Sequence, residues 1–291
     1  MDDISISRPK NKIAWGIPVP GDTTQVMYVW FEALMNYITV LGYPENNDFK
    51  NFWPADVQVI GKDIIRFHAA IWPAMLMSLN LPLPKKLYVH GFIQSDGKKM
   101  SKSIGNVIKP VDIVKEYGVD GFRYYFLRHI PSYDDGDFSW QKINASYNNE
   151  LANELGNALQ RTVAMIEKYQ AGKYGDPSEV GHDLAKYEES LNQCRFDRAL
   201  DEVWEHIRGL NQYIDEAKPW EIANKKEADH LRDVLSYQVS SLLFIADLLS
   251  PFLPETATKI HTIFKDGEVH PAKTSLFPKK DPIEPVKTTV K

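Results

Sequence analysis

The pattern of apolar and polar positions changes character near residue 140. Before it, short apolar runs alternate with helical stretches. From Gln25 to Leu41 apolar positions recur at helical spacing, and Gly42-Tyr43-Pro44 supplies the stop. A loop runs to Pro54, and Asp56–Ile60 then climbs into an apolar run that meets Gly61 and a helical pattern from Asp63 through Met77. The strand signal repeats over Lys86–Ile93, followed by a loop rich in glycine and lysine and by a helix from about Pro110. Alternating strand and helix predicts a parallel α/β sheet. After Trp140 strand signals vanish, and helical patterns cover about 141–170, 183–215, 219–223, 227–250 and 254–265. The predicted class is therefore α/β followed by all-α. Pro9, Pro18, Pro20, Gly16 and Gly21 make residues 1–22 a run of turns and short strands. The Pro, Lys and Thr of 279–291 predict a loosely ordered tail.

Composition adds bounds to this picture. The 291 residues are 43% hydrophobic and 25% charged, which suits about two globular domains. No twenty-residue apolar span appears, so a cytosolic protein without a membrane segment is expected. The single cysteine, Cys194, excludes an intrachain disulfide framework, and with no clustered histidines it makes no zinc site; it reads as a half-buried helix residue. The net charge of −5 hides a local excess of five positive charges between Lys85 and Arg128, where nine Lys and Arg face four acids. A phosphate-bearing ligand is expected there.

That basic stretch holds Gly97-Lys98-Lys99-Met100-Ser101-Lys102-Ser103-Ile104-Gly105-Asn106, directly after an apolar strand and bounded by the turn pairs Asp96-Gly97 and Gly105-Asn106. Lys99 and Lys102, three apart in a pliable loop, suit a polyphosphate whose charge grows as a phosphoryl centre is attacked. Upstream, Trp30, Ala33 and Tyr37 share one helical face, and Ile64 and His68 share another. Aromatic walls with a small residue between them suit an unbranched thioether, although plain core produces the same stripe. Gly61 and Asp63 occupy a strand-to-helix turn, where open α/β sheets bind ligands; Asp63 fits equally as a helix N-cap. Further on, Asn157 and Arg161 lie one turn apart, opposite Leu155 and Leu159, as a polar outer face also would. Trp220 follows Pro219 at a helix start, either buried or exposed for stacking on an unpaired base.

The order Lys99-Met100-Ser101-Lys102-Ser103 resembles the signature loop of class I aminoacyl-tRNA synthetases. Val29–Ile38 and Gly61–His68 narrow the resemblance to methionyl-tRNA synthetases, since leucyl and valyl relatives share parts of the second segment but not the first. The similarity continues through Asp120–Tyr125 and Asp135–Ser139 to about residue 255. It implies the second half of a Rossmann-like catalytic fold over 23–115, a linking stem over 116–143 and a helical anticodon-binding domain over 144–278. Residues 1–22 would end a connective insertion. The implied activity is methionine-tRNA ligation with ATP and Mg2+, methionine and methionine tRNA as substrates. Lys99 and Lys102 take the catalytic roles. Gly61, Asp63, Ile93 and Lys99 through Ser103 bind ATP; Trp30, Ala33, Tyr37, Ile64 and His68 line the methionine pocket; Asn157, Arg161 and Trp220 read the anticodon.

One departure qualifies the resemblance. Members carry a His-Ile-Gly-His-type motif in the first half of the nucleotide fold, and no His-x-Gly-His occurs here; His90-Gly91 stands elsewhere. The expectation is a piece incomplete for catalysis, with the missing amino-terminal half as a possible partner. Its rivals are a non-catalytic tRNA-binding module and a synthetase for another amino acid.

Overall fold

A computed structural model describes residues 5–13, 15–101, 103–176, 183–271 and 274–282. The chain divides into two compact units, Met1–His90 and Gly91–Lys291.

In the first unit, β1 (Ser7–Pro9), β2 (Pro18–Val19) and β3 (Asp22–Met27) form an antiparallel sheet of order β1-β3-β2. Helix α1 spans Val29–Thr39, shorter than the predicted 25–41. Asp22 caps the turn into β3 through the Thr24 amide at 2.9 Å, and Val26 and Met27 pair with Arg8 and Ser7. Pairing of these extended residues overrides the helical spacing. Helix α2 (Asn47–Phe52) is capped by Asn46, whose side chain accepts from the Asp48 amide. Strand β4 (Gln58–Gly61) leads into a continuous helical stretch: a 3-10 turn at Lys62–Ile64, a π segment at Phe67–Ile71, and α3 (Trp72–Ser78). Strand β5 (Leu87–His90) pairs parallel with β4, Gly61 opposite His90. Leu34, Ile38, Trp53, Trp72 and Leu76 form the core.

In the second unit, β6 (Ile93–Ser95) lies between β7 (Lys98–Lys99), antiparallel to it, and β8 (Gly136–Phe138), parallel to it. The single strand predicted over 86–93 is thus two strands in two sheets. The break falls at Gly91, where a Cβ would stand 2.2 Å from the backbone of Asp134, so only glycine fits. Helix α4 (Pro110–Arg128) is broken inside by Gly118 at φ 75°, a conformation glycine adopts freely.

Helices follow: α5 (Trp140–Ser146), a π segment at Tyr147–Gly156, α6 (Asn157–Gln170), α7 (Ala185–Asn192), α8 (Phe196–Ala217), α9 (Pro219–Asn224), α10 (Ala228–Leu249) and α11 (Pro254–Ile263). The predicted helix over 183–215 is interrupted after Asn192. Cys194, expected to be half-buried in a helix, is buried and sits there at φ 56° between two helices. Strand signals do not end at 140 either: β9 (Phe264–Lys265) and β10 (Glu268–Val269) close a hairpin around Asp266-Gly267, both at positive φ.

Helix α8 buries Leu200, Val203, Trp204, Ile207, Leu210 and Ile214, one stripe at three- and four-residue spacing. It packs on α10, which is buried on most of its circumference. Most polar residues of α10 that face the core are bonded there, while the Gln238 Nε2 is buried without a hydrogen-bond partner among the described residues. Ser240 and Ser241 donate to carbonyls one turn back, and Gln238 meets Thr162 at 3.1 Å. The region predicted to be a loose tail opens with tethered residues: Asn148 bonds both backbone groups of Lys280, and Asn144 donates to the Asp281 carbonyl. Residues 283–291 lie outside the described part. Among the described residues no helix is long and apolar enough to cross a membrane.

Candidate active-site residues

In the first unit, α1 presents Trp30 and Tyr37, half-buried against the core that Leu34 and Ile38 enter. His68 lies in the π segment, a distortion that recurs at functional sites, and is 4% exposed. Its Nδ1 is 3.0 Å from the Ile64 carbonyl and its Nε2 is 3.0 Å from the Tyr37 hydroxyl. A carbonyl can only accept, so Nδ1 carries the proton; in the neutral ring Nε2 then accepts, and Tyr37 donates. Burial pushes the Tyr37 hydroxyl above its ordinary pKa, which keeps it protonated for that role. The Trp30 and Tyr37 rings meet the His68 ring edge-on, with centroids 5.9 Å and 5.7 Å away.

The structure therefore gathers Trp30, Tyr37 and His68 into one aromatic cluster, tied to Ile64 through its backbone carbonyl, and leaves Ala33 exposed on the Trp30 face of α1. Two residues of this cluster were missed in the sequence. Phe67 stacks on Trp30 at 4.3 Å with a 10° interplanar angle, and Trp72 stands 5.9 Å from Tyr37. The Trp72 indole is fully buried with no hydrogen-bond partner for its N–H. Trp72 was legible as the residue four positions after His68, on the same helical face.

Gly61 and Asp63 sit at the carboxyl end of β4. Gly61 itself occupies the N-cap of the 3-10 turn, so Asp63 is not that cap. A Cβ on Gly61 would approach the Asp63 Oδ1 to 2.8 Å, and its absence leaves room for the exposed carboxylate.

In the second unit, Asp96 and Gly97, at φ 51° and 71°, turn the chain between β6 and β7 as a two-residue hairpin of Asp-Gly requires. Asp137 Oδ1 accepts the Gly97 amide at 2.7 Å and its Oδ2 accepts Lys142 Nζ at 2.7 Å. Asp135 accepts the Phe92 amide at 2.8 Å. Ile93, 38% exposed, lies on β6 opposite Gly136. Lys99 ends β7 with its exposed side chain carried toward Phe92, Nζ 5.6 Å from the ring centroid. Beyond Lys99, Ser101 is the hub of a tight turn. Its amide donates to Asn106 Oδ1, its carbonyl accepts from Gly105, and its Oγ accepts from Ile104 and lies 3.1 Å from Ser103 Oγ. Met100 is half-buried beside it. Lys102 lies outside the described residues.

On the helices of the same unit, Arg161 of α6 bonds Asp215 at 2.6 Å, and its guanidinium carbon is 6.0 Å from the ring centroid of Trp220 in α9. Trp220 is 36% exposed. Asn157 is exposed one turn before Arg161. The three predicted residues thus belong to two packed helices, with polar groups and an indole face open to solvent.

A family model described as "tRNA synthetases class I (M)" matches residues 1–163. The chain is 47% identical over 274 residues to a methionine-tRNA ligase of Caldanaerobacter subterraneus, covering 89% of this chain and 43% of that protein. It is 41% identical over 314 residues to a methionine-tRNA ligase of Listeria monocytogenes, covering 98% and 47%. The chain therefore spans less than half the length of these curated relatives. Among solved structures, Mycobacterium tuberculosis methionyl-tRNA synthetase in complex with methionyl-adenylate superposes with a TM-score of 0.85 at 35% identity, covering 96% of this chain and 60% of that one. The apo form of that enzyme gives 0.83 at 32% identity, covering 97% and 61%.

The electrostatics of the hairpin support lead to a test. The Gly97 amide and then Lys142 hold the Asp137 carboxyl below the ordinary aspartate pKa of about 3.9. A depressed carboxylate stabilises the fold above its unfolded pKa, and that contribution fades as pH falls through the folded value. Carbon NMR titration of Asp137 is expected to give a midpoint below about 3.9, moved upward by Lys142→Ala. A midpoint at or above the ordinary value, unmoved by that substitution, contradicts the tether.

Proposed function

The chain belongs to the class I tRNA synthetases of the group marked M, and we propose that it carries the methionine pocket, part of the ATP site and the anticodon-reading helices of a methionine-tRNA ligase. In domain terms, residues 1–22 end a connective insertion, 23–115 form the second half of a Rossmann-like catalytic fold, 116–143 a stem and 144–278 the anticodon domain. Residues 279–291 are its tail.

The observation that carries the proposal is His68, held at both ring nitrogens with Trp30 and Tyr37 edge-on around it. A thioether sulfur is polarizable and gains from ring-edge contact, whereas a branched aliphatic side chain gains only area. Trp30, Tyr37, Ile64 and His68 enclose the side chain, with Ala33 leaving room for its end.

In the reaction, the methionine carboxylate oxygen attacks the α-phosphorus of ATP, and the bond to pyrophosphate breaks. The terminal ribose hydroxyl of the tRNA then attacks the activated carbonyl and releases AMP. Catalysis of this kind rests on positioning and charge stabilisation, with no protein nucleophile. Asp63 accepts ribose hydroxyls beside Gly61, and Ile93 meets adenine. ATP enters as its Mg2+ complex. Lys99 and Lys102, with the loop through Met100, Ser101 and Ser103, offset the charge on departing pyrophosphate. That a structural relative holds methionyl-adenylate supports this assignment.

Trp220 offers a stacking platform, and Asn157 and Arg161 donate to base edges. The Arg161–Asp215 pair is exposed on its acidic side, so exchanging it for a base contact costs little.

Two measurements test the reading. Methionine is expected to raise the melting temperature of the chain more than leucine or valine does, and His68→Ala to remove the difference; leucine giving the larger shift contradicts the pocket assignment. Trp220→Ala is expected to weaken salt-sensitive binding of methionine tRNA by about 1–3 kcal/mol, the scale of one base–aromatic stack. Equal binding of tRNAs with other anticodons contradicts the anticodon assignment.

A further inference from the structure

Asn106 lies in the second unit, half-buried, at the far end of the loop that begins with Lys99. Its Oδ1 accepts the Ser101 amide at 2.9 Å and its Nδ2 donates to the Lys99 carbonyl at 3.2 Å. One carboxamide thus spans two backbone groups of the loop, seven and five residues earlier in the chain. The Lys99 carbonyl is where the chain leaves β7, so fixing it sets the direction in which the loop departs and the base from which the lysine side chain extends.

The pairing is chemically selective. A carbonyl accepts only and an amide N–H donates only, so the bridging group needs one acceptor and one donor side by side. Among uncharged side chains of this length, asparagine alone has both. Aspartate matches the shape but has no donor for the Lys99 carbonyl, and it sets a negative charge against that carbonyl oxygen.

We propose that Asn106 is a positioning residue for nucleotide binding. By clamping Lys99 to Ser101 it holds the Lys99 ammonium where the phosphates of a nucleoside triphosphate are met. The inference rests on reading this loop as the triphosphate site. Asn106 acts through Lys99 and need not touch the nucleotide. The other described bonds of the turn, Gly105 to the Ser101 carbonyl, Ile104 to the Ser101 hydroxyl and the Ser101–Ser103 hydroxyl pair, are local to residues 101–105. Losing the clamp therefore loosens the loop and leaves β6, β7 and β8 paired.

The test is a thermodynamic cycle on the full chain, with Mg·ATP and adenosine as separate probes in calorimetric titration. Asn106→Ala is expected to weaken Mg·ATP about ten-fold, the order that one or two lost hydrogen bonds carry, and to leave adenosine binding unchanged. Asn106→Asp is expected to be at least as weak for Mg·ATP. In a Lys99→Ala background Asn106→Ala is expected to have no further effect, because the lysine it positions is gone. Equal weakening of Mg·ATP and adenosine overturns the proposal in favour of general damage to the fold, and additive effects in the double variant overturn the route through Lys99. If Lys99→Ala weakens Mg·ATP and Asn106→Ala does not, the positioning role alone falls. If the unsubstituted chain binds adenosine but gains nothing from the phosphates, or binds neither probe, the triphosphate reading falls and the positioning role with it.

Discussion

His68 is fixed at both ring nitrogens, and the arrangement of the first unit's helices depends on it. The Ile64 carbonyl can take only a proton donor, which sets the tautomer; the tautomer makes Nε2 an acceptor; the acceptor orients the Tyr37 hydroxyl. Through that chain, a backbone group in the helical stretch after β4 is linked to a side chain of α1. The ring is 4% exposed, so leaving either nitrogen unpaired would cost the desolvation of a buried polar group, about 1–3 kcal/mol. Trp30 meets the ring edge-on, Phe67 stacks on Trp30, and Trp72 stands beside Tyr37, aromatic contacts that tolerate little displacement. A site meant to measure one side chain by shape needs that stiffness.

The loop after β7 is built the other way. Its fixed points are hydrogen bonds among its own residues, from Lys99 to Asn106, together with the Asp137 carboxylate that pins the hairpin turn at Gly97. Such bonds, mostly at the surface, are individually weak and can be remade at low cost. This suits the role proposed for the segment, engaging phosphates and letting pyrophosphate go. The two constructions match the chemistry assigned to them: a rigid aromatic pocket for an apolar side chain, and a pliable basic loop for a charge that moves during the reaction.

Much of this was legible in the sequence wherever one residue type has one structural use. Asp96-Gly97 announced a turn, and both residues have the positive φ that the two-residue hairpin found there needs. The spacing of Trp30 to Tyr37 and of Ile64 to His68 announced two faces, which the structure brings together. The spacing was silent on Phe67, because neighbouring aromatics in a helix can face core or cavity alike. It also failed where pairing partners are distant. Gln25–Met27 is extended because Ser7–Pro9 lies beside it, and the strand expected over 86–93 breaks because the Asp134 backbone presses on Gly91. Asn106 was visible only as half of a turn pair; its two bonds to the loop depend on how that loop folds back.

The central claim is that the face formed by Trp30, Tyr37 and His68 receives the methionine side chain. Transferred NOE spectroscopy with methionine labelled at its methyl carbon tests it directly. The account predicts ring-current displacement of the methyl signal and cross-peaks from that methyl to the rings of Trp30, Tyr37 and His68, all lost in Tyr37→Ala. An undisplaced methyl, or cross-peaks confined to aromatic residues of the second unit, would contradict it.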